Sequence, residues 1–574
     1  KSDVIKIWAN DPKDIRKIRE DIRAIPGILD IFETDILFKN RYMIDNNLGG
    51  MCHIDENNRF VDKDCDEDIK VMGFDIEVLP PESLEMPSSN NDEVIVISMA
   101  FSHKYDNKDN LVCIVGNGSS NENTIYFDNE YLLLWYFNEI IEEYDPDIIS
   151  GYNINGFDFE YLNDRYLKNK LKPIFGRNKS TMFIKKLFGK NKISISGRVI
   201  IDLLPLMRSN YNYDSYSLKN ISHELLKNDK IDMPMWKMRQ EYINGDYKNT
   251  VDYARKDAIL VLELLKKTKF IEKYIAISKI SGLLLQDCIN SGQSQKIEMI
   301  LLREFKNEDR LMAMKPFDKK DNNDEDTVKY SGATVLAPII GLSKDIVVLD
   351  YKSLYPTIMI SQNYSYDTLI KQEDKKNYKD DEVIKAVVGG WFIKPHIKFG
   401  IVPNILDKLL NERIKIKKAM KTEKNPDRKD YLDARQYALK ILLNSFYGYS
   451  GYDRARLFEV DIAAAVTSFG RENILETKKF IENVSDNYKV IYGDTDSVFI
   501  RIMDTKYKYG EIPLDILMEI GIYLGRERSK QLPAPMELVF EKIAKTIIFE
   551  AKKKYAYWHF EKNYKGDWEN KVKS

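Results

Sequence analysis

The chain has 574 residues, enough for several domains, and 43% of them are apolar, enough to fill real cores. Charged residues make up 31% yet cancel to a net −2, so any nucleic-acid surface must rest on segregated rather than total charge. No apolar run of about 18 residues reads as a membrane span, and the four cysteines form no CxxC pair, which argues against zinc or a disulfide framework and fits a reducing, intracellular setting.

Lys1 carries neither a signal-peptide pattern nor an initiator Met before it, and reads as a trimmed N-terminus. From there to about Lys70 the chain reads as a small mixed α/β unit. The next region, Val71–Lys267, opens with VMGFDIEVL, a strand on which Asp75 and Glu77 stand two apart and therefore share a face. Val94–Phe101 reads as another strand. In GYNINGFDFEYL, Asp158 follows Asn153 by five positions. In DYARKDAILVLELL, Tyr253 and Asp257 are i and i+4 on an amphipathic helix, so phenol and carboxylate point the same way. Each pattern alone is weak: DIE also describes an exposed strand edge, and YxxxD is a common chance spacing. Together the four acids would hold two metal ions about 4 Å apart, with Tyr253 orienting an attacking water.

A helical connector is predicted from Phe270 to about Phe317, and the acidic, Asn-rich DKKDNNDED (Asp318–Asp326) reads as a linker. A third region opens at Tyr330. Its apolar run Ile346–Leu349 reads as a buried strand ending in Asp350, an unfavourable place for a carboxylate unless a cation compensates. Two amphipathic helices, Asn404–Lys421 and Arg428–Phe446, are joined by TEKNPD into a helical hairpin. Arg413 and Lys417 share a face of the first; Lys440, Asn444 and Tyr447–Gly448 share a face of the second. Packed antiparallel, these faces would present three cations to one polyphosphate. Farther on, VIYGDTDSVFI sets Asp494 and Asp496 at a hairpin tip. Alone, DTD reads equally as an Asp-rich turn. With Asp350, three close acids suit a pair of Mg²⁺ ions, and a basic face opposite them suits nucleoside triphosphate transfer.

These residues carry a resemblance. DYKSLYPTIM (Asp350–Met359), KILLNSFYG (Lys440–Gly448) and YGDTDS (Tyr492–Ser497) resemble motifs A, B and C of family B DNA polymerases, in order and spacing. KKKY (Lys552–Tyr555) resembles that family's primer–template motif in the palm. The acids of the N-terminal half resemble the Exo I, II and III motifs of DEDDy 3′–5′ proofreading exonucleases. Tyr330-Ser-Gly332-Ala333 resembles the family's YxGG/A motif, with Ala333 in the second glycine position. The resemblance runs from about Val4 to Tyr557. Without a large insertion between motifs A and B, it looks like the archaeal rather than the protein-primed type.

What the resemblance implies is a multidomain chain of α/β and α+β parts. A partial N-terminal domain would span 1–70, an RNase H-like 3′–5′ exonuclease domain 71–267, and a helical connector 268–329. The polymerase palm would span 330–403, helical-hairpin fingers 404–450, and further palm with the start of a thumb 451–574. Asp350 and Asp494 would ligate two Mg²⁺ ions (Mn²⁺ also fits), with Asp496 in support. Asp75, Glu77, Asp158 and Asp257 would hold two more, with Tyr253 beside them. Arg413, Lys417 and Lys440 would hold the triphosphate of a dNTP above Asn444 and Tyr447, and Tyr355 would be the steric gate against a 2′-hydroxyl. Tyr330, Gly332, Lys553, Lys554 and Tyr555 would contact primer–template DNA.

The implied activity is DNA-directed DNA synthesis with proofreading, in a cytoplasmic, nucleoid-associated enzyme, with a sliding clamp among its expected partners. The family's thumb should follow KKKY, so the chain reads as truncated or as one part of a split enzyme whose thumb is a second polypeptide. Two rival readings are a non-catalytic scaffold and a stand-alone nuclease. The first predicts eroded acids, and the second is opposed by intact Asp350, Lys440 and Asp494.

Overall fold

The computed structural model of the chain describes residues 4–62, 68–187, 189–228, 232–316, 332, 335–562 and 566–573. The predicted linker at Asp318–Asp326, and Tyr330, Ser331 and Ala333 of the YxGG/A-like motif, lie outside the described residues. The chain divides into two compact units. One comprises Lys1–Lys63, Ile275–Leu284 and Ser291–Ser574; the other comprises Asp64–Tyr274 and Leu285–Asn290.

The unit built on Asp64–Tyr274 is a six-stranded mixed sheet between helices. Its labelled elements are β1 (Val71–Val78), β2 (Val94–Tyr105), β3 (Lys108–Val115), β4 (Thr124–Phe127), α1 (Glu130–Tyr144), β5 (Ile148–Gly151), α2 (Asp158–Lys168), β6 (Val199–Asp202) and α3 (Lys248–Thr268). The strand order is β6-β5-β1-β2-β3-β4. β6, β5 and β1 run parallel, β1–β2 and β2–β3 are antiparallel, and β3–β4 is parallel. A near-continuous apolar strand such as β1 needs cover on both faces. α1 supplies Leu133, Leu134 and Phe137 to one core, with Phe74 and Phe159. α3 supplies Leu260, Val261 and Leu264 to another.

In the larger unit a six-stranded antiparallel sheet carries the C-terminal motifs. Its elements are β7 (Gly341–Tyr351), α4 (Leu354–Ser361), α5 (Ile401–Thr422), α6 (Pro426–Ser450), α7 (Val460–Val484), β8 (Tyr488–Asp494), β9 (Ser497–Ile502), α8 (Leu514–Ser529), β10 (Leu538–Ala551), β11 (Lys554–Lys562) and β12 (Trp568–Lys573). The order is β8-β9-β7-β10-β11-β12, which puts β7 in the middle. Gly521 lets α8 close on the sheet: a Cβ there would lie 2.5 Å from Phe540 Cδ2 and 2.8 Å from Val347 Cγ1. Val347 thus faces α8, and strand alternation turns Ile346, Val348 and Asp350 to the opposite face.

α5 and α6 form the expected helical hairpin. Asn425 accepts a hydrogen bond from Arg428 N–H at 3.1 Å and Pro426 follows it, so the second helix starts on a capped turn. Arg435 of α6 bonds Glu412 of α5 at 2.6 Å, which locks the antiparallel register. The connector is not one continuous run: helices Phe270–Ser281, Leu285–Asn290 and Gln293–Asn307 are separate, and residues 308–316 are not helical. Gly282, at φ +75°, ends the first of them. Deep in this unit the Arg456 guanidinium bonds both carboxylate oxygens of Asp35, at 2.8 and 2.9 Å, and the carbonyl of Ala313 at 2.7 Å. No helix among the described residues is long and apolar enough to cross a membrane.

Candidate active sites

On β1, Gly73, Asp75 and Glu77 share the face that looks at α3. Gly73 has no side chain, and a Cβ there would lie 3.2 Å from both Ala258 O and Val261 Cγ1, so α3 rests directly on the strand. That seats Asp257 against the two strand acids. Oxygens of Asp75, Glu77 and Asp257 all lie within 4.8 Å of one another, the one such group of three possible metal ligands among the described residues. Burial, then the charges of Glu77, Asp257 and Asp75, push the Tyr253 phenol well above its ordinary value. It therefore stays protonated beside the acids, a donor one helical turn from Asp257.

Asp158 is not one of the three. It is the first residue of α2, 3% exposed, and its carboxylate accepts from the Ile76 N–H at 3.3 Å. Burial pushes it up to about 7, with the charge of Asp202 adding to the effect. Asp202 itself had no place in the sequence reading. It ends β6, and its carboxylate accepts from Asn153 N–H at 2.8 Å, Asn155 N–H at 3.1 Å and Leu204 N–H at 3.1 Å. One buried acid thus shapes the loop that leads into Asp158 and caps the following helix, Leu203–Asn210. A signal was present: an Asp directly before an apolar helical run is an N-cap pattern.

In the larger unit β7 delivers Asp350 opposite Ser497 of β9 and Val539 of β10. The β8–β9 hairpin turns at Thr495 and Asp496, with Thr495 in the left-handed region at φ +56°. Tyr351 N–H donates to the Asp496 carbonyl at 2.8 Å, tying the end of β7 to that turn. Burial, then the charges of Asp496 and Glu541, push Asp350 up to about 7. Asp496 is raised too, by burial and then by Asp494 and Glu541. Asp494 is engaged differently: Lys553 Nζ lies 3.4 Å from its Oδ1, and it accepts from Tyr492 Oη at 3.3 Å. The acid that Asp350 senses most is therefore Asp496. Glu541, a further carboxylate on β10, was not anticipated, because no local spacing links it to Asp350.

The helical hairpin carries a set of cations, with Lys417 and Lys440 exposed and Arg413 half-buried. Arg413 reaches Ser353 Oγ and Gln436 Oε1, both at 3.5 Å, while its Nε is buried without a hydrogen bond. Burial depresses the Arg413 guanidinium. Lys417 is depressed as well, by burial and then by the charges of Arg413, Lys352, Lys440 and Lys421. Like charges so crowded call for an anion between them. Asn444 and Lys440 are exposed on α6, as the shared-face reading requires. Tyr355 of α4 packs on Tyr447 of α6 with ring centroids 4.5 Å apart. Arg471 donates to the Gly332 carbonyl at 2.8 Å. Lys553, at φ +64°, and Lys554 are exposed, whereas Tyr555 packs against Tyr492 and Phe499, with centroids 5.5 and 5.8 Å away.

Residues 283–573 match the model of DNA polymerase family B, and residues 29–221 match that of the DNA polymerase family B exonuclease domain. The chain belongs to the family B DNA polymerases. It is 32% identical to a DNA polymerase of Thermococcus gorgonarius, over 96% of this chain and 67% of that protein. It is also 32% identical to a DNA polymerase delta catalytic subunit of Plasmodium falciparum, over 97% of this chain and 56% of that one. The chain thus spans between about half and two thirds of the length of these relatives, which are archaeal and eukaryotic alike. The solved family B DNA polymerase of Pyrobaculum calidifontis superposes with a TM-score of 0.73 at 26% identity, over 96% of this chain and 69% of that one. The exonuclease-domain match stops before Tyr253 and Asp257, and it is the packing of α3 on Gly73 that joins those two residues to Asp75 and Glu77.

Proposed function

We propose that this chain carries out template-directed DNA synthesis from dNTPs and 3′–5′ removal of mismatched primer ends, at two separate carboxylate centres. The observation that carries the reading is the pairing, within one unit, of Asp350 and Asp496, both raised by burial and by neighbouring carboxylates, with the crowded cations Arg413, Lys417 and Lys440.

The donor sets suit Mg²⁺: Asp75, Glu77 and Asp257 already lie within one ion's reach, and Asp350 and Asp496, which no such grouping joins among the described residues, are each raised by burial and by neighbouring carboxylates that a cation would offset. Asp350 and Asp496, with Asp494 beside them, would hold it in the synthetic centre; Asp75, Glu77 and Asp257, with Asp158 turning toward them, would hold it in the other. When bound, such ions activate an attacking oxygen and neutralise charge on the leaving group. The chain's own residues do the rest. Arg413, Lys417 and Lys440 would hold the triphosphate through charge-assisted hydrogen bonds. Asn444 and Tyr447 would lie under the nucleotide, and the Tyr355 ring, fixed against Tyr447, would occupy the space a 2′-hydroxyl needs. Gly332, Lys553 and Lys554 would follow the primer–template backbone, and Tyr555 would support them from the palm cluster. In the exonuclease centre the protonated Tyr253 would orient a water toward the terminal phosphodiester.

The test is a labelled primer–template, matched or mismatched at its 3′ end, incubated with Mg²⁺ with and without dNTPs. Extension with dNTPs and shortening without them is the expected result. Neither reaction with folded protein would overturn the reading.

A further inference from the structure

Lys352 lies two residues beyond Asp350, in the turn that leads into α4. Its Nζ is 2.5 Å from Glu537 Oε2, and its backbone N–H donates to the Glu537 carbonyl at 3.0 Å. Arg413 of α5 comes within 3.5 Å of the hydroxyl of the next residue, Ser353. Lys352 is thus held next to the cation set of α5 and α6, and its charge is among those that depress Lys417. Both ends of the pair are open to water, the lysine side chain 59% and the glutamate 53% exposed. An exposed ion pair of this kind contributes little stability and is easily exchanged for a better anion. A triphosphate is such an anion, carrying several charges at once.

We infer that Lys352 is a further triphosphate-binding cation, restrained by Glu537 in the empty enzyme and released to the polyphosphate when nucleotide arrives. Glu537 is then a positioning residue: it keeps a mobile lysine beside the site while lessening the repulsion among the cations. The inference rests on the reading of Arg413, Lys417 and Lys440 as a triphosphate site. It extends that site to a residue on the palm, so that fingers and palm both grip the same anion.

The consequences of substitution are reciprocal. Lys352→Ala should weaken binding of inorganic tripolyphosphate by about 3- to 10-fold, the range of one solvent-exposed charge-assisted contact, and Lys352→Arg should restore most of it. Glu537→Gln should tighten binding about 2- to 5-fold by freeing the lysine. In primer extension the same changes should appear in KM for dNTP, with kcat nearly constant, as expected for uniform binding.

The experiment is calorimetric titration of the whole chain with inorganic tripolyphosphate, for wild type, both Lys352 variants, Glu537→Gln and Lys440→Ala. Weaker binding in Lys352→Ala with tighter binding in Glu537→Gln supports the inference. Unchanged binding in Lys352→Ala, while Lys440→Ala weakens it, overturns the role of Lys352 and leaves the triphosphate reading standing. Unchanged or weaker binding in Glu537→Gln overturns the restraint. Unchanged binding in Lys440→Ala overturns the triphosphate reading itself, and this inference with it.

Discussion

Tyr355 of α4 and Tyr447 of α6 meet with ring centroids 4.5 Å apart and their planes inclined by 41°. Gly470 of α7 lies near the same ring: a Cβ added there would sit in ordinary contact, 3.6 Å from Tyr355 Cε1. The Tyr447 ring thus backs Tyr355 on one side. Tyr355→Ala should raise ribonucleotide incorporation at least ~10-fold relative to deoxynucleotide, the scale of steric discrimination in a shaped pocket. Single-nucleotide kcat/KM values for each sugar decide it, and unchanged discrimination would make Tyr355 a packing residue.

The charge of Asp496 raises Asp350, whereas Asp494 is engaged by Lys553 and Tyr492. Asp350→Asn and Asp496→Asn should each lower extension about 10³-fold or more, about 4 kcal/mol of barrier, without loss of exonuclease activity. Asp494→Asn should cost markedly less. If Asp494→Asn proved the more damaging, the division of roles among the three acids would be reversed.

Asp75→Ala together with Glu77→Ala should leave extension intact and stop digestion of a mismatched 3′ end. Tyr253→Phe removes a donor but no charge from the cluster. It should slow digestion by about 10²-fold, the lower range for a positioned proton-bearing group, while Mg²⁺ affinity measured by titration stays unchanged. Continued digestion in the double variant would place the nuclease centre elsewhere.

A stability prediction follows from Arg456 and Asp35. Burial alone would raise the Asp35 pKa, but the hydrogen bond from Arg456 brings it below its ordinary value. A lowered folded pKa means stability that is present above the unfolded value of about 3.9 and lost as pH falls through the folded one. Arg456→Ala strands a half-buried carboxylate and should cost about 3 kcal/mol at pH 7, the low end for buried pairs because Asp35 is partly exposed. Chemical denaturation across a pH series should show Asp35→Asn less stable than wild type at pH 7, with the gap closing in acid.

Local periodicity carried much of this. Asn404–Lys421 and Arg428–Phe446 lie inside the observed Ile401–Thr422 and Pro426–Ser450, and the tip of VIYGDTDSVFI is the observed β8–β9 turn. Tyr253 and Asp257 were legible because i, i+4 on a helix is a short-range rule. Asp202, Glu541 and Glu537 were not. Asp202 acts on backbone N–H groups some fifty residues earlier in the chain, and Glu541 reaches Asp350 across a strand pairing. Such relations are set by sheet order, which spacing within one segment does not encode. Asp494 and Asp496 meet the same limit: the resemblance makes Asp494 the ligand and Asp496 its support, while their neighbours on other strands suggest the reverse division, which the two asparagine variants test.

The crowding of Arg413, Lys417, Lys440, Lys352 and Lys421 has a practical consequence for anyone handling the protein. Without nucleotide, such a site recruits whatever small oxyanion the solution offers. Sulfate or phosphate should raise the melting temperature more than chloride at equal ionic strength, because part of the gain is occupancy of a site and not general screening. The same anions should then compete with dNTP. If that site binds the triphosphate, a phosphate buffer would act as a weak inhibitor, and nucleotide affinities measured in phosphate and in a non-coordinating buffer should differ in proportion to that occupancy.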